Sequence, residues 1–326
     1  MSGEFERIAK FFKPLALEPF ALGLTDDAAL ITPPPGMDLV VTTDTLVAGV
    51  HFFVDDPPAA IARKSLRVNL SDLAAKGADP FVYTLVLTLP SSVDDDWLAA
   101  FAAALGEDQR AYGIGLVGGD MSATPGPLSI TIGAFGLVPS GAMLKRSGAR
   151  GGDTLFLTGS LGDAALGLLV AKGEATTSPL HAAFLLDRYR HPQPRVSTGR
   201  RLRGLATAAL DVSDGLLADA AHIGRAGRVD LVIESAALPL SAAARTLVES
   251  DFRLFDTIVT GGDDYEILFT APESVAPALR VVAAETGIAV TAIGEVRRAE
   301  GEGSVTLLDS FGRPVELGGP GGWRHW

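Results

Sequence analysis

Leu39-Val-Val-Thr-Thr-Asp44 is a run of β-formers that ends on a carboxylate, and the same arrangement returns three more times. It is found in Gly115-Leu-Val-Gly-Gly-Asp120, in Ala209-Leu-Asp211-Val-Ser-Asp214 and in Ile258-Val-Thr-Gly-Gly-Asp263-Asp264. A carboxylate at the end of a buried strand is costly to desolvate unless something positive sits against it. None of these acids has a basic residue within two positions, and the chain holds 27 Lys and Arg against 39 Asp and Glu. Any one acid is satisfied by a turn or helix N-cap, which Asp favours. The set together points to a shared divalent-cation site, because hard cations such as Mg²⁺ take oxygen ligands and commonly carry phosphates.

Working outward from these runs, strands and helices alternate. Helical spacing of Phe5, Ile8, Phe11 and Phe12 predicts a short N-terminal helix, and Pro33-Pro-Pro-Gly36 forces a loop. Residues 38–43 read as a strand, 59–75 as an amphipathic helix, 81–89 as a strand, 94–112 as a helix and 128–138 as a strand. The Ser-, Gly- and Lys/Arg-containing stretch 139–153 is the best linker candidate. Beyond it the pattern predicts a strand at 154–158, helices at 164–172, 181–190 and 196–208, and strands at 230–234, 257–259, 267–270 and 289–293. The mixture in each half predicts two α/β domains, 1–140 and 141–326. Asn69-Leu-Ser-Asp72 and Asp211-Val-Ser-Asp214 echo each other, each read as a Ser-Asp pair opening a helix. Such short matches fit both shared ancestry and chance.

Composition removes several classes of chemistry. With no cysteine, disulfide frameworks, thiolate nucleophiles and Cys-ligated metals are absent, and the five His include no HExxH spacing. A net charge of −12 argues against nucleic acid or an anionic membrane surface as the main partner. No run of eighteen uncharged apolar residues occurs, and Glu4 and Glu6 stand where a leader would be basic, which predicts a cytoplasmic protein. Gly113-x-Gly115-x-x-Gly118 matches the dinucleotide fingerprint only as a string, since it trails a helical pattern and no helix follows. A Walker A sequence is also missing.

The remaining candidates each carry a bland reading beside a functional one. Asp26-Asp27 is a capped turn or a ligand pair, and Thr42 and Thr43 are ordinary strand residues or hydroxyl ligands beside Asp44. Arg146 is a solvated cation or a phosphate contact. His51 is a packed histidine or a ligand contact. Trp323 and Trp326 pack on a core or stack on a heteroaromatic ring.

In order, GEFERIAKFF, TDDAAL, VVTTDTLVAGVHF, NLSDLAAKGADP, LVGGD, LKRSGARGGD, LTGSLGDAALGL, LDVSDGLLAD, TGGDDYEILF and the terminal GGWRHW resemble the thiamine-monophosphate kinase family over almost the whole chain. That family shares a superfamily with aminoimidazole ribonucleotide synthetase. The resemblance implies two α/β domains of the aminoimidazole synthetase type, the first binding ATP and Mg²⁺ and joining its sheet to a second copy in a dimer barrel. It implies ATP-dependent phosphorylation of thiamine monophosphate to thiamine diphosphate by direct in-line transfer. Carried onto matching positions, Asp27, Thr42, Thr43, Asp44, Asp72, Asp120, Asp211 and Asp214 would ligate several Mg²⁺ ions. Tyr112, Gly119, Asp120, Arg146 and Ser213 would touch ATP; His51, Asp263, Trp323 and Trp326 would touch thiamine monophosphate. One departure stands at Asp263, where the family usually has Glu. Two rivals remain: another ATP-using enzyme of the superfamily, and a non-catalytic nucleotide or thiamine-phosphate binding protein.

Overall fold

A computed structural model of the protein describes residues 3–317 and Gly322. It divides the chain into two units, one holding the residues up to Leu73 with Ala78–Gly141, the other Ala74–Gly77 with the chain from Ala142 on.

The first unit opens with α1 (Glu4–Arg7), whose helical path continues through Phe12 and tightens at Lys13–Leu15. There follow β1 (Met37–Val47), α2 (Pro58–Ala75), β2 (Asp79–Leu89), α3 (Asp95–Tyr112), β3 (Gly115–Ala123) and β4 (Ser129–Pro139). The sheet runs β1-β4-β2-β3. β4 is antiparallel to both neighbours, while β2 and β3 are parallel and joined through α3. α3 starts where the Asp94 side chain accepts the Trp97 N–H at 2.8 Å and stops at Gly113 in the left-handed region, both ordinary helix signals. Period-two alternation sets the sheet faces: Ile130, Ile132, Ala134 and Val138 of β4 are fully buried. On β1, Val40 and Leu46 are buried, whereas Val41 on the opposite face is 59% exposed.

The second unit contains β5 (Asp153–Thr158), α4 (Asp163–Ala171), α5 (Pro179–Arg190), α6 (Val196–Leu202), β6 (Ala208–Asp211), α7 (Leu216–Gly227), β7 (Val229–Glu234), α8 (Ala242–Ser250), α9 (Leu254–Thr260), β8 (Ile267–Pro272), α10 (Ala276–Thr286), β9 (Val290–Arg298) and β10 (Val305–Leu308). Its sheet runs β10-β7-β9-β5-β8-β6, antiparallel except for β10 beside β7. Both faces are covered. Leu155, Leu157, Leu210, Ile233 and Leu268 belong to one apolar cluster, while Phe156, Ala209, Ile267 and Phe269 belong to another. Burial on both sides explains why β5 and β8 read as continuous apolar runs instead of alternating ones. Phe156 and Phe269, paired across the ladder, stack at 5.2 Å between centroids.

Two sequence expectations change here. The Ile258-Val-Thr run is the end of α9, not a strand, because Phe255, Ile258 and Val259 recur at helical spacing and bury one face. The helix predicted over 196–208 ends at Leu202, since Ala208 already belongs to β6.

Candidate active site

In the first unit, two of the acid-tipped runs carry their acids inside strands. β1 continues three residues past Asp44, and β3 continues past Asp120 to Ala123. Alternation places Thr42 and Asp44 on the face of Val40 and Leu46, and Thr43 on the other. The Thr42 hydroxyl donates to Asp72 Oδ2 at 2.5 Å, whereas Thr43 Oγ1 donates to the Ile132 carbonyl at 3.1 Å. The structure therefore joins Thr42 to Asp72 and sends the Thr43 side chain elsewhere. Asp72 lies in the last turn of α2 and does not open a helix. Carboxylates are disfavoured at that end, where the helix dipole is negative, so the position favours a cation beside it.

Asp26, Asp27, Gly119 and Asp120 line one cavity of about 250 Å³, with Phe5, Ile8, Phe12, Leu24 and Met121 among its apolar walls. Asp26 accepts the Asp27 N–H at 2.8 Å, and Ser122 Oγ donates to Asp120 Oδ2 at 2.9 Å. Gly119 has a structural duty as well. A Cβ there would lie 1.8 Å from the carbonyl oxygen of Leu85, its partner on β2, so only glycine permits this strand pairing. Tyr112 does not line that cavity; its ring lies under the Arg67 guanidinium at 5.7 Å, and Arg67 grips Asp108 with bonds of 2.7 and 2.8 Å. His51 Nδ1 accepts the Val47 N–H at 3.0 Å, which puts the proton of a neutral ring on Nε2.

In the second unit, β6 does end at Asp211, which is buried, and a turn carries the chain through Ser213 and Asp214 into α7. This turn is laced to the loop 261–266. Asp263 N–H donates to the Ser213 carbonyl (2.9 Å), Tyr265 N–H to that of Val212 (2.8 Å), and Val212 N–H to that of Glu266 (2.8 Å). Asp211, Ser213, Asp214 and Asp263 are thereby held on one scaffold. Asp263 and Tyr265 have φ of 72° and 52°, and the Tyr265 hydroxyl donates to Asp263 Oδ1 at 3.0 Å.

Neighbouring acids are engaged within the fold, Asp219 and Asp264 by backbone N–H groups and Glu266 by side chains. Asp219 Oδ2 accepts the N–H groups of Ser213, Asp214 and Gly215 at 3.0, 3.0 and 3.1 Å. Burial pushes its carboxyl up to about 7, against the lowering effect of those donors. Asp264 accepts from Gly162 N–H at 2.7 Å and Ala164 N–H at 3.3 Å, at the start of α4, and burial drives its carboxyl well above the usual range. Glu266 receives Arg195 Nε (2.7 Å), Arg195 Nη2 and Thr158 Oγ1 (2.7 Å). Both members of the ion pair are buried.

Arg146 opens a short 3₁₀ turn and is exposed. Its charge, with that of Arg225, lowers the His222 pKa further after burial, the largest cause; Arg225 Nη2 lies 3.1 Å from His222 Nδ1. His222, Arg225 and Asp214 line a cleft of about 810 Å³ in this unit. Trp323 and Trp326 lie outside the described residues.

Among the described residues, no three of Asp, Glu, His or Cys come together as a ready metal cage. That suits Mg²⁺, which keeps several waters and binds through one or two carboxylates plus substrate phosphates. The donors present are all hard oxygens in small sets: Thr42 with Asp72, Asp27 with Asp120 on one cavity, and Ser213 with Asp214 on one turn.

Asp219, Arg195, His222 and Arg225 escaped the sequence reading. Asp219 had a legible signal, an acid in the first turn of a helix placed to reach back to preceding N–H groups. Arg195 had none, since its partner Glu266 is distant in sequence, and His222 and Arg225, three residues apart on α7, read as an ordinary helix face.

Comparison with known proteins agrees along the chain. Residues 25–138 match the family described as AIR synthase related protein, N-terminal domain, and residues 150–306 its C-terminal domain. The thiamine-monophosphate kinase of Escherichia coli (strain K12) is 43% identical over 318 residues, 97% of this chain and 96% of that protein. A crystal structure of thiamine-monophosphate kinase from Stenotrophomonas maltophilia K279a is 40% identical, with a TM-score of 0.82 over 93% of this chain and 94% of that one. A structure of AaThiL complexed with AMPPCP and TMP is 29% identical, with a TM-score of 0.79 over 90% of this chain and 89% of that one.

Proposed function

We infer that this chain, which belongs to the thiamine-monophosphate kinase family, transfers the γ-phosphoryl group of ATP to thiamine monophosphate, yielding thiamine diphosphate and ADP. The observation that carries this reading is 43% identity to a thiamine-monophosphate kinase over 97% of the chain. An oxygen of the acceptor phosphate forms a bond to the γ-phosphorus as the bridge from that phosphorus to the β-phosphate breaks. The acceptor is already an oxyanion, so no general base is needed, and catalysis rests on positioning and charge neutralisation. At about 4 Å, like unit charges repel by roughly 4 kcal/mol at an effective dielectric of 20. Bound Mg²⁺ supplies the neutralising charge.

Residue roles follow from the resemblance and from placement. Thr42, Asp44, Asp72, Asp27 and Asp120 in the first unit, and Asp211 and Asp214 in the second, are the Mg²⁺-holding oxygens. Thr43 joins them only through its backbone, because its hydroxyl is bonded to Ile132. Gly119, Asp120, Arg146 and Ser213 hold ATP. Tyr112 fits that role less well, since its ring packs under Arg67. His51, Asp263, Trp323 and Trp326 receive thiamine monophosphate. Residues 1–140 form the ATP-, Mg²⁺- and dimer-forming domain and 141–326 the C-terminal domain. The exposed Leu39 and Val41 on the outer face of β1 support a homodimer joined through that sheet as a barrel. The reading assigns the enzyme to the cytoplasm; no helix among the described residues is long and apolar enough to cross a membrane.

The test is to incubate the purified chain with Mg-ATP and thiamine monophosphate and to measure thiamine diphosphate. Its formation at stoichiometry with ADP is expected. Failure to form it, with turnover of an aminoimidazole precursor instead, overturns the reading.

A further inference from the structure

A single carboxylate oxygen, Asp219 Oδ2, collects three successive backbone N–H groups, those of Ser213, Asp214 and Gly215. Asp219 is 3% exposed, so water does not compete for these bonds. Gly215 sits at φ 117°, and a Cβ there would meet the Thr260 carbonyl at 2.5 Å. On its far side, the same turn holds the loop 261–266 through the carbonyls of Val212 and Ser213.

We propose that Asp219 is a positioning residue for phosphoryl transfer: it engages the turn's N–H groups so that the Asp214 carboxylate and the Ser213 hydroxyl stay available for the metal–nucleotide complex. This rests on the kinase reading, which gives Ser213 and Asp214 those roles. The physical reason is competition. Asp side chains readily bond the backbone of their own turn. With Asp219 removed, the orphaned N–H groups of residues 213–215 recruit the nearest acceptor, and Asp214 is the acid on that turn. Its carboxylate folds back and is lost as a ligand. Through the lacing to 261–266, Asp263 shifts as well, so both substrates feel the change.

The test uses the full chain with Asp219→Ala and Asp219→Asn. Mn²⁺ binding is measured by electron paramagnetic resonance in the presence of a non-hydrolysable ATP analogue. The Michaelis constants for both substrates and the amide exchange of residues 213–215 are followed in parallel. Asp219→Ala is expected to weaken Mn²⁺ binding and raise KM for ATP about thirtyfold, and to speed exchange of those three amides at least tenfold. Asp219→Asn, which keeps one weaker acceptor oxygen, is expected to show three- to tenfold changes. A melting temperature that falls while Mn²⁺ binding and KM change less than threefold in both variants overturns the proposal and leaves Asp219 a fold residue only. If the alanine variant does not fold, the asparagine variant decides by the same threefold limit. If wild type makes no thiamine diphosphate, the kinase reading fails, and Mn²⁺ binding and amide exchange still test Asp219.

Discussion

In the first unit the candidate ligands other than Asp27 stand on regular elements, whereas in the second they gather at the end of β6 and in the loops beyond it. Thr42, Asp44, Asp72 and Asp120 stand on β1, α2 and β3, where ladder and helix bonds already satisfy the backbone. Little further support is needed, and Asp72 receives the Thr42 hydroxyl. Ser213, Asp214 and Asp263 stand where the backbone leaves regular structure, and its N–H groups need acceptors of another kind. Asp219 provides one for residues 213–215, and the Ser213 carbonyl takes the Asp263 N–H, while Asp264 accepts N–H groups at the start of α4. The loop-borne candidates Ser213 and Asp214 thus have a buried acid, Asp219, as companion.

The largest effect expected from disturbing this contrast is on the ligands themselves. Asp72→Asn and Asp214→Asn should each lower thiamine diphosphate formation by about 10³-fold, roughly 4 kcal/mol of transition-state stabilisation, with the melting temperature within a few degrees of wild type. Near-normal turnover in both would overturn the metal role proposed for these carboxylates.

Next in size is the anchor of the second unit. Arg195→Met leaves Glu266 buried without its guanidinium and should destabilise the fold by about 3–5 kcal/mol in urea titration. Adding Glu266→Met should recover most of that loss. If it does not, Glu266 matters for more than its charge, through its bond from Thr158.

In the first unit the counterpart is steric. Gly119→Ala should separate β3 from β2 at Leu85 and destabilise by about 1–3 kcal/mol, read in the same titration, because an added methyl has only a carbonyl oxygen to meet. An unchanged midpoint would show that the ladder can yield there.

The smallest effect concerns pH. Burial raises the Asp163 carboxyl, against bonds from Ser160 and Ser241 and the charge of Arg188. A raised folded value means the protonated form is favoured in the fold, so this contribution is complete below the unfolded value near 4 and is lost as pH rises through the folded one. Asp163→Asn removes the titration. The stability of wild type relative to this variant should therefore decline from about pH 4 upward and then level off. An opposite slope in unfolding curves taken across that range would show that the hydroxyl bonds outweigh burial.

Much of this molecule is legible in the chain. Apolar periodicity located α3, β2, β4, β5 and β7 to within a residue or two, because core-facing positions repeat with the period of the element. Motif order over the whole chain also carried the family, and with it the chemistry. Periodicity failed at Thr257–Val259, where a short β-branched run packs as the end of α9. A run that short satisfies either period.

What the sequence determined by itself is the set of oxygen donors, the absence of any thiol chemistry and the alternation of strands and helices in two halves. These are local or compositional properties, readable without knowing which residues meet. Only the tertiary structure decided which acids tie down distant backbone and which stand on the candidate site. Asp263 and Asp264 are adjacent, yet one takes a positive φ beside Ser213 and the other ties down the start of α4. That choice depends on which orphaned N–H groups lie within reach, and those belong to segments about a hundred residues apart in the chain.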